Sequence, residues 1–395
     1  MYPFNRIFLI VLDSLGIGNA KDANEYGDER TNTLKHICEK YKNIELTNLE
    51  GLGLGNLGEF NGIYAMPRTL ASIAKLNEVS KGKDTITGHY EMVGLHVKKP
   101  FKTFTQHGFP QEFIDEFEKQ TGRSVVGNKA ASGTDIIEEF GEHQIKTGDL
   151  IVYTSSDSVF QIAAHEKYIG LEQLYSYCEI ARKLLMNEDW KVARVIARPF
   201  IGEKKGEFQR TENRHDYALE PFDRTVLDEL SDHSIETIAV GKINDIFCGK
   251  GLSRAIKTKN NEDGMLKTIE LAKEQFTGLA FINLVDFDML YGHRRDPIGY
   301  AKALEQFDDQ LTKLLYQLKE DDLLILTADH GNDPTFRGTD HTRENVPVLF
   351  YSKKFEYYGA LPTTKTFANI GATIIDNFGI ENTLGIGESY LDKLK

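Results

Sequence analysis

Residues that cross-link or anchor a protein are scarce in this sequence. The three cysteines, Cys38, Cys178 and Cys248, are odd in number and widely spaced among 395 residues. This pattern excludes a disulfide framework and a thiolate zinc site, and it is typical of the reducing cytoplasm. The apolar run at residues 7–12 is too short to cross a membrane and lacks the flanking features of a signal peptide. We therefore expect a cytoplasmic protein with no membrane segment.

Positive charge is also in deficit. The chain has 47 lysines and arginines against 60 aspartates and glutamates, a formal net charge of -13. Such a chain has no general attraction for nucleic acid or for an anionic membrane surface. An anionic substrate must therefore be held by local cations or metal ions, and nothing in the sequence indicates a protein partner.

Apolar residues are numerous enough for a large core, since 40% of the residues are hydrophobic and 27% are charged. The length exceeds the size at which single hydrophobic cores stop growing, so we predict two compact units. Short apolar runs alternate with helical patterns, which indicates an α/β fold with a mainly parallel sheet. The runs predicted as strands are residues 7–12, 150–153, 192–197, 237–240, 279–285, 323–327 and 346–351.

Two stretches interrupt this pattern and predict domain boundaries. Residues 98–100 end in a proline, and residues 202–216 are polar. The strands that carry acidic residues at their ends lie outside these limits. We therefore predict a core domain built from residues 1–100 and 217–395, with residues 101–216 inserted as a smaller α/β cap, or lid.

Acidic residues and histidines recur together at the ends of three predicted strands. In open α/β sheets, ligands bind at the carboxyl edge of the strands. A helix N-cap accounts for any one aspartate taken alone, and a core or surface position for any one histidine, but not for the whole set. Carboxylates and imidazoles without thiolates suit Mn²⁺, Mg²⁺ or Zn²⁺, and the set is large enough for two ions that assist phosphoryl transfer. The candidate ligands are Asp13, Asp288, His293, Asp329, His330 and His341.

A candidate phosphoryl acceptor lies in residues 82–91, which we predict to form a loop entering a helix. Free backbone N–H groups and the positive end of the helix dipole would favour an incoming phosphate there. Thr85 is the candidate nucleophile, since coordination to a divalent ion would give its hydroxyl the alkoxide character that it otherwise lacks. Spacing alone favours the simpler interpretation of Thr85 as an ordinary helix N-cap, and Thr87 fills either role equally well.

Two further motifs and one basic segment bear on function. Residues 53–58 match the dinucleotide fingerprint G-x-G-x-x-G, but a poor strand precedes them and no helix pattern follows. Residues 293–296 are similar to a kinase catalytic loop but lack the other kinase motifs. Six cations against three acids lie between Arg194 and Arg214. They form either a solvated loop or a cap surface that recognises a phosphate at the far end of a substrate.

These residues resemble the alkaline phosphatase superfamily and, within it, the bacterial phosphopentomutases. The resemblance extends over nearly the full length, with no substituted metal ligand. The matching segments are residues 13–18, 83–89, 153–161, 213–217, 241–247, 286–296 and 327–347. The resemblance implies an alkaline-phosphatase-like core, with a mainly parallel sheet flanked by helices, an inserted cap and two Mn²⁺ ions.

The same resemblance implies roles for particular residues. Thr85 carries phosphate between turnovers, and Asp286 is a structural neighbour of Asp288. The ligands of one ion are Asp13, Asp329 and His330, and those of the other are Asp288, His293 and His341. The implied substrate contacts are Ser155, Asp157, Arg194 and Arg210 in the cap and Lys242 in the core.

The resemblance further implies a reaction. Family members interconvert α-D-ribose 1-phosphate and D-ribose 5-phosphate, and the 2-deoxyribose pair, in nucleoside salvage and pentose metabolism. Phosphorylated Thr85 donates to the substrate, a pentose 1,5-bisphosphate forms and turns around, and Thr85 takes back the other phosphate. A sugar bisphosphate such as glucose 1,6-bisphosphate primes the enzyme, and a closed cap excludes the water that would hydrolyse phosphothreonine.

Ligand spacing alone leaves other functions open. The nearest are a metal-dependent phosphatase or phosphodiesterase and a cofactor-independent phosphoglycerate mutase on the same core. A nicotinamide oxidoreductase that uses residues 53–58 and a metal-binding protein without turnover are alternatives from other classes. The cap segment 153–161, together with a threonine rather than a serine nucleophile, favours the phosphopentomutase interpretation, so we expect an isomerase.

Overall fold

Strands and helices alternate along most of the chain. The computed structural model describes residues 2–155, 158–355 and 359–394. The strands are β1 (Arg6–Leu12), β2 (Ser72–Leu76), β3 (Val125–Ala130), β4 (Leu150–Thr154), β5 (Val159–His165), β6 (Arg194–Ile201), β7 (Gln209–Arg210), β8 (His215–Ala218), β9 (Glu236–Val240), β10 (Arg254–Ile256), β11 (Gly278–Leu284), β12 (Asp322–Thr327) and β13 (Val346–Tyr351). The α-helices are α1 (Thr33–Lys40), α2 (Thr47–Leu52), α3 (Thr85–Met92), α4 (Gln111–Thr121), α5 (Gly133–Thr147), α6 (Leu171–Leu184), α7 (Val226–Asp232), α8 (Ile243–Ile246), α9 (Asn261–Leu271), α10 (Pro297–Gln317) and α11 (Ala368–Asn377). None of the described helices combines the length and the apolar character needed to span a membrane.

The chain divides into two compact units. The core unit consists of residues 1–100 and 221–395, and the inserted unit consists of residues 101–220. The boundary predicted at residue 216 falls inside β8, which pairs with β6 of the inserted unit. Because cutting β8 would break those backbone hydrogen bonds, the inserted unit extends to Glu220.

The sheet of the core unit is built around β1. Its strand order over the described residues is β10-β9-β11-β1-β12-β13-β2. β1 is parallel to both β11 and β12, and all of its residues are buried, as expected of a strand covered on both faces. β13 runs antiparallel to β12 and to the edge strand β2. The sheet is therefore mixed but mainly parallel, as the sequence predicts.

A buried ion pair joins the starts of the two central strands β1 and β12. Arg6 donates from Nε and Nη2 to the two carboxylate oxygens of Asp322, at 2.7 and 2.6 Å. Arg6 also donates from Nη1 to the carbonyl oxygens of Ala272 and Glu274, at 2.9 and 2.6 Å. The arginine thus satisfies buried acceptors at the end of the sheet opposite the carboxyl edge.

The inserted unit has its own sheet and its own core. The sheet order over its described residues is β3-β4-β5-β6-β7, with β8 also paired to β6. One face packs an aromatic cluster that includes Phe113, Phe117 and Phe160. The other face packs Ile136 and Ile137 of α5. Both faces of this sheet are therefore covered.

Candidate metal centre

The carboxyl edge of the core sheet brings the predicted ligands together. β1 and β11 are parallel and in register, with Leu12 beside Leu284. Asp13 follows β1 directly, and Asp329 follows β12 after a single residue. Both aspartates are buried. Since parallel strands end at one edge, residues far apart in sequence converge there.

A short π-helical segment, Phe287–Gly292, places Asp288 and His293 next to each other after β11. Within it the His293 N–H donates to Asp288 O at 2.9 Å, a hydrogen bond that spans five residues. Single π-helical turns of this kind are rare and occur often at functional sites. The wider turn leaves Asp288 Oδ2 3.1 Å from His293 Nε2.

The first group of candidate ligands consists of Asp288, His293 and His341. His341 Nε2 lies 3.4 Å from Asp288 Oδ2 and 3.1 Å from His293 Nε2. His293 Nδ1 lies 2.6 Å from the carbonyl oxygen of Thr339. A carbonyl only accepts, so Nδ1 carries the proton and Nε2 presents its lone pair, the usual arrangement of a metal-ligating histidine.

Charge in this first group favours an ionised carboxylate. Burial opposes ionisation of Asp288, but the His341 and His293 imidazoles outweigh it and hold the pKa of the carboxyl well below its usual range. A carboxylate and two imidazole nitrogens that converge within hydrogen-bond distance suit a divalent cation. Within the described residues, one ligand atom from each of these three side chains lies within 4.8 Å of the others.

The second group of candidate ligands surrounds His330. His330 Nε2 lies 3.5 Å from Asp13 Oδ1 and 3.4 Å from Asp329 Oδ2. His330 Nδ1 lies 3.1 Å from the carbonyl oxygen of Gly331, so Nε2 again presents the lone pair. Ligand atoms of Asp13, Asp288 and His330 lie within 4.8 Å of one another, which places Asp288 in both groups.

Negative charge accumulates in the second group. Burial and the neighbouring carboxylates of Asp329 and Asp288 raise the pKa of Asp13 well above its ordinary value. Asp13 Oδ1 is buried and has no hydrogen-bond partner among the residues that the structure describes. Buried carboxylates in contact are costly unless a cation compensates them. The donor set therefore fits a bound divalent ion.

Each of the three aspartates has one oxygen held by a donor outside the candidate ligands, and its other oxygen faces the histidines. The donors are Asn283 Nδ2 to Asp13 Oδ2 at 2.9 Å, Asn332 Nδ2 to Asp288 Oδ1 at 2.7 Å, and Ser14 N to Asp329 Oδ1 at 3.0 Å. Ser14 adopts a left-handed conformation, with φ of 72°, that only a minority of non-glycine residues adopt.

Sequence reasoning assigned no role to these three donors. Asn283 carried a usable signal, because it is a buried amide within the apolar strand β11 and must find a partner there. The positive φ of Ser14 and the contact of Asn332 depend on tertiary structure, so no pattern in the sequence indicates them.

Thr85 begins α3 and faces the second group. Its Oγ1 lies 3.3 Å from His330 Nε2. Thr87 is committed elsewhere, since it is buried and its Oγ1 donates to Asp84 Oδ2 at 2.6 Å. Of the two threonines that the sequence left open, only Thr85 therefore presents its hydroxyl to the candidate ligands.

At the start of α3 one alternative is excluded and one expectation is wrong. The N-cap is Asp84 rather than Thr85, and its carboxylate accepts the N–H groups of Ile86 and Thr87 at 3.1 Å. The position alone predicted that these N–H groups are free to receive a phosphate. They are not free, because both donate to Asp84. An aspartate directly before a threonine offers a second capping side chain of the same kind, and spacing does not decide between them.

The predicted substrate contacts lie in both units. Ser155 follows β4, Arg194 begins β6 and Arg210 ends β7, all within the inserted unit. Asp157 lies outside the described residues. Lys242 follows β9 in the core unit and is the N-cap of α8. These roles stay predictions.

The dinucleotide-like motif at residues 53–58 has no strand before it. Helix α2 precedes it, and Gly53 is the left-handed C-cap of that helix, with φ of 105°. A dinucleotide fingerprint requires a strand that leads into the glycines and a helix that receives the pyrophosphate. Here the first glycine ends a helix instead, and Gly55 lies within the short 3-10 helix Leu54–Leu57.

Comparisons with known proteins define the class. The sequence model of the Metalloenzyme superfamily matches residues 5–382 of this chain. The chain is therefore a metalloenzyme of that superfamily. Among solved structures, a Leishmania mexicana phosphoglycerate mutase studied at low cobalt concentration matches with a TM-score of 0.52 and 12% identity, covering 98% of each chain. At this identity the likeness shows the fold alone, and it confirms the predicted α/β fold class.

Relatives in the curated proteins define the family. The phosphopentomutase of Clostridium beijerinckii is 57% identical over 397 residues, and that of Agathobacter rectalis is 54% identical over 395 residues. Each comparison covers 100% of this chain and 100% of the relative. The chain belongs to the phosphopentomutase family. It is an isomerase, which confirms the class of enzyme predicted from the sequence.

Proposed function

We propose that the chain interconverts α-D-ribose 1-phosphate and D-ribose 5-phosphate, and the 2-deoxyribose pair, through phosphorylated Thr85 and a pentose 1,5-bisphosphate. The observation that carries the proposal is the full-length identity of 54 to 57% to proteins named phosphopentomutase. The geometry around Thr85 supports the covalent route. Its hydroxyl is 3.3 Å from a candidate metal ligand, whereas the hydroxyl of Thr87 is occupied by Asp84.

The transfer needs one residue that gives up a phosphoryl group in the first step and accepts one in the second. In the first step the C1 hydroxyl of ribose 5-phosphate attacks the phosphorus on Thr85. The new O1–P bond forms, the bond to Thr85 Oγ1 breaks, and the proton of the sugar hydroxyl ends on Oγ1. After the bisphosphate turns around, Oγ1 attacks the 5-phosphoryl group, and its proton passes to the departing O5. Ribose 1-phosphate leaves, and Thr85 is again phosphorylated.

Two divalent ions fit the two ligand groups, and we assign them as Mn²⁺. Such ions neutralise phosphoryl charge and favour the ionised form of a coordinated hydroxyl. The aspartates and histidines would hold the ions, and all of them except the half-buried His293 lie in buried positions. The ligands are Asp13, Asp329 and His330 for one ion and Asp288, His293 and His341 for the other. The mixed oxygen and imidazole donors suit manganese better than a thiolate-seeking metal.

The remaining parts of the proposal concern substrate and setting. From the family resemblance we assign Ser155, Asp157, Arg194, Arg210 and Lys242 as substrate contacts. The three cations among them would meet the need of an acidic chain for local positive charge against a sugar phosphate. A sugar bisphosphate such as glucose 1,6-bisphosphate primes Thr85 by giving up one phosphoryl group. Pentose phosphates are charged metabolites retained inside cells, so we place the reaction in the cytoplasm, in nucleoside salvage and pentose metabolism.

The test is isomerisation of ribose 5-phosphate with Mn²⁺ and a catalytic amount of glucose 1,6-bisphosphate, followed by mass mapping of the phosphorylated peptide. We expect ribose 1-phosphate as the product and phosphate on Thr85. Free phosphate as the dominant product would identify a phosphatase instead. Absence of both products would contradict the proposed reaction.

Thr85→Ala and Thr87→Ala are matched variants two residues apart. Thr85→Ala should abolish turnover and labelling while metal content and folding persist, since it removes an acceptor and not a buried group. Thr87→Ala should keep turnover and the label on Thr85, at a stability cost of ~1 kcal/mol for the lost hydrogen bond from its hydroxyl to Asp84. Retained turnover in Thr85→Ala would show that the nucleophile is another residue.

A further inference from the structure

Two hydrogen bonds in series connect Arg295 through Asn332 to one oxygen of Asp288. Arg295 donates from Nη1 to Asn332 Oδ1, and Asn332 donates from Nδ2 to Asp288 Oδ1 at 2.7 Å. We propose that Asn332, held by Arg295, is a positioning residue that fixes the Asp288 carboxylate so that Oδ2 alone faces His293 and His341. This inference rests on the proposed metal-dependent function, since it assigns Asn332 to the ion held by that group.

The amide of Asn332 has only one orientation that satisfies its neighbours. A guanidinium only donates, so the side-chain oxygen of Asn332 must face Arg295. Its Nδ2 is then directed at Asp288, whose ionised carboxylate only accepts. Asn332 is fully buried, and its backbone N–H donates to Thr33 Oγ1 at 3.1 Å. Both ends of the residue are therefore held.

Close packing places Asn332 against the segment that carries His293. A Cβ atom on Gly292 would lie 2.8 Å from Asn332 Nδ2 and 2.9 Å from its Cγ. Only glycine lets the amide approach the backbone of the π-helical segment this closely. The amide that donates to Asp288 is therefore also packed directly against Gly292, the residue before His293.

Arg295 ties the same group to the loop that carries His341. Its Nε donates to Gly338 O at 2.6 Å and its Nη2 to Asp340 O at 2.9 Å. Its Nη1 also donates to Gly292 O at 2.9 Å. One guanidinium thus joins the residue before His293, the residue before His341 and the amide on Asp288. Hydrogen bonds of Arg295 therefore help to position all three candidate ligands of this ion.

Asn283 provides a matched comparison at the other group. Its Nδ2 donates to Asp13 Oδ2 at 2.9 Å, and it is also buried. Its Oδ1 has no hydrogen-bond partner among the residues that the structure describes. The two asparagines make the same contact on different aspartates, so equivalent substitutions should weaken different ions.

The experiment compares Asn332→Leu with Asn283→Leu by titrating Mn²⁺ into the metal-free full chain. Leucine keeps the size and branching of asparagine but cannot donate. Loss of such outer hydrogen bonds weakens metal binding by ~10–100-fold. We expect Asn332→Leu to weaken one ion and Asn283→Leu the other. In a His341→Ala background, the loss caused by Asn332→Leu should differ from its loss in the wild-type chain, because both changes act on one ion and their effects are coupled.

Thermal unfolding of the metal-free proteins separates positioning from general destabilisation. Arg295 retains backbone acceptors in Asn332→Leu, so we expect the metal-free protein to fold and the stabilisation added by Mn²⁺ to shrink. If Asn332→Leu does not fold, Asn332→Ser removes the long donor with less strain and serves in its place. Binding of both ions at wild-type affinity, or an equal loss of both, would overturn the proposal.

Failure of the proposed function gives a different result. Wild-type protein that binds Mn²⁺ without isomerising ribose 5-phosphate would overturn the proposed reaction alone, and the affinity comparison would still decide the role of Asn332. Wild-type protein that binds no divalent ion would overturn both.

Discussion

Gly88 of α3 lies where the helix carrying Thr85 meets the segment after β12. A Cβ atom on Gly88 would lie 2.0 Å from Asp329 O and 3.0 Å from Asp329 Cβ. The carbonyl oxygen is part of the backbone next to two candidate ligands, so it cannot rotate away as a flexible side chain would. We predict that Gly88→Ala moves α3, and with it Thr85, away from His330.

The size of the effect follows from that distance. Nonbonded carbon atoms pack best at ~3.5–4.0 Å, so relief of the overlap displaces the helix by ~1 Å or more. A misplacement of ~1 Å at a reacting group costs ~100-fold in rate. Overpacking costs ~1–3 kcal/mol of stability, and the better helix propensity of alanine offsets ~0.5–1 kcal/mol of it. Gly88→Ala should therefore fold and lose activity.

The assay is the initial rate of ribose 5-phosphate isomerisation, with urea unfolding measured on the same samples. Gly51→Ala in α2 is the matched control, because its Cβ would meet only Leu70 Cδ1 at 3.6 Å, an ordinary contact. That variant should keep the wild-type rate. A Gly88→Ala protein with the wild-type rate would refute the reasoning about close packing behind Thr85.

Two further predictions concern stability. Arg6→Ala leaves Asp322 buried without its partner and should lower the free energy of unfolding, measured by urea titration, by ~3–5 kcal/mol. The control Arg254→Ala breaks an exposed ion pair with Glu274 and should lower it by less than ~1 kcal/mol. Burial raises the pKa of Glu344 to about 6 from 4.5. The folded state then binds more protons than the unfolded state around these values, so stability should fall by ~2 kcal/mol in total as pH rises from well below 4.5 to well above 6. The contribution of Glu344 to stability is fully present below pH 4.5. In Glu344→Gln the free energy of unfolding should therefore vary less with pH over this range. An unchanged pH dependence would show that other groups cause it.

The main features of the core sheet are accessible from sequence because they follow from continuous apolar runs. Residues 7–12 and 323–327 lie within β1 and β12, and the aspartates after them lie at one edge, as predicted. A buried parallel strand needs apolar residues on both faces, which leaves a strong pattern. β2 leaves a weaker pattern, since it is a short edge strand interrupted by Lys75, and the sequence did not predict it.

Other features depend on contacts that no local pattern records. An apolar run such as β13 has the same composition whether it pairs parallel or antiparallel, so its orientation follows from the chain path. The π-helical turn at Phe287–Gly292 differs from an α-helix only in which carbonyl accepts each N–H. The choice between Thr85 and Thr87 likewise required the position of the Asp84 carboxylate.

The central place of β1 in the sheet has a consequence for synthesis on the ribosome. Arg6 pairs with Gly278, about 270 positions later in the chain. At ~5–20 residues per second, roughly 15 to 55 s pass before the partner strand is made. The inserted unit draws its sheet from one continuous stretch and can complete it within that interval. Throughout the wait, β1 is an apolar segment without its strand partners, and we expect chaperones to protect it until the last third of the chain emerges.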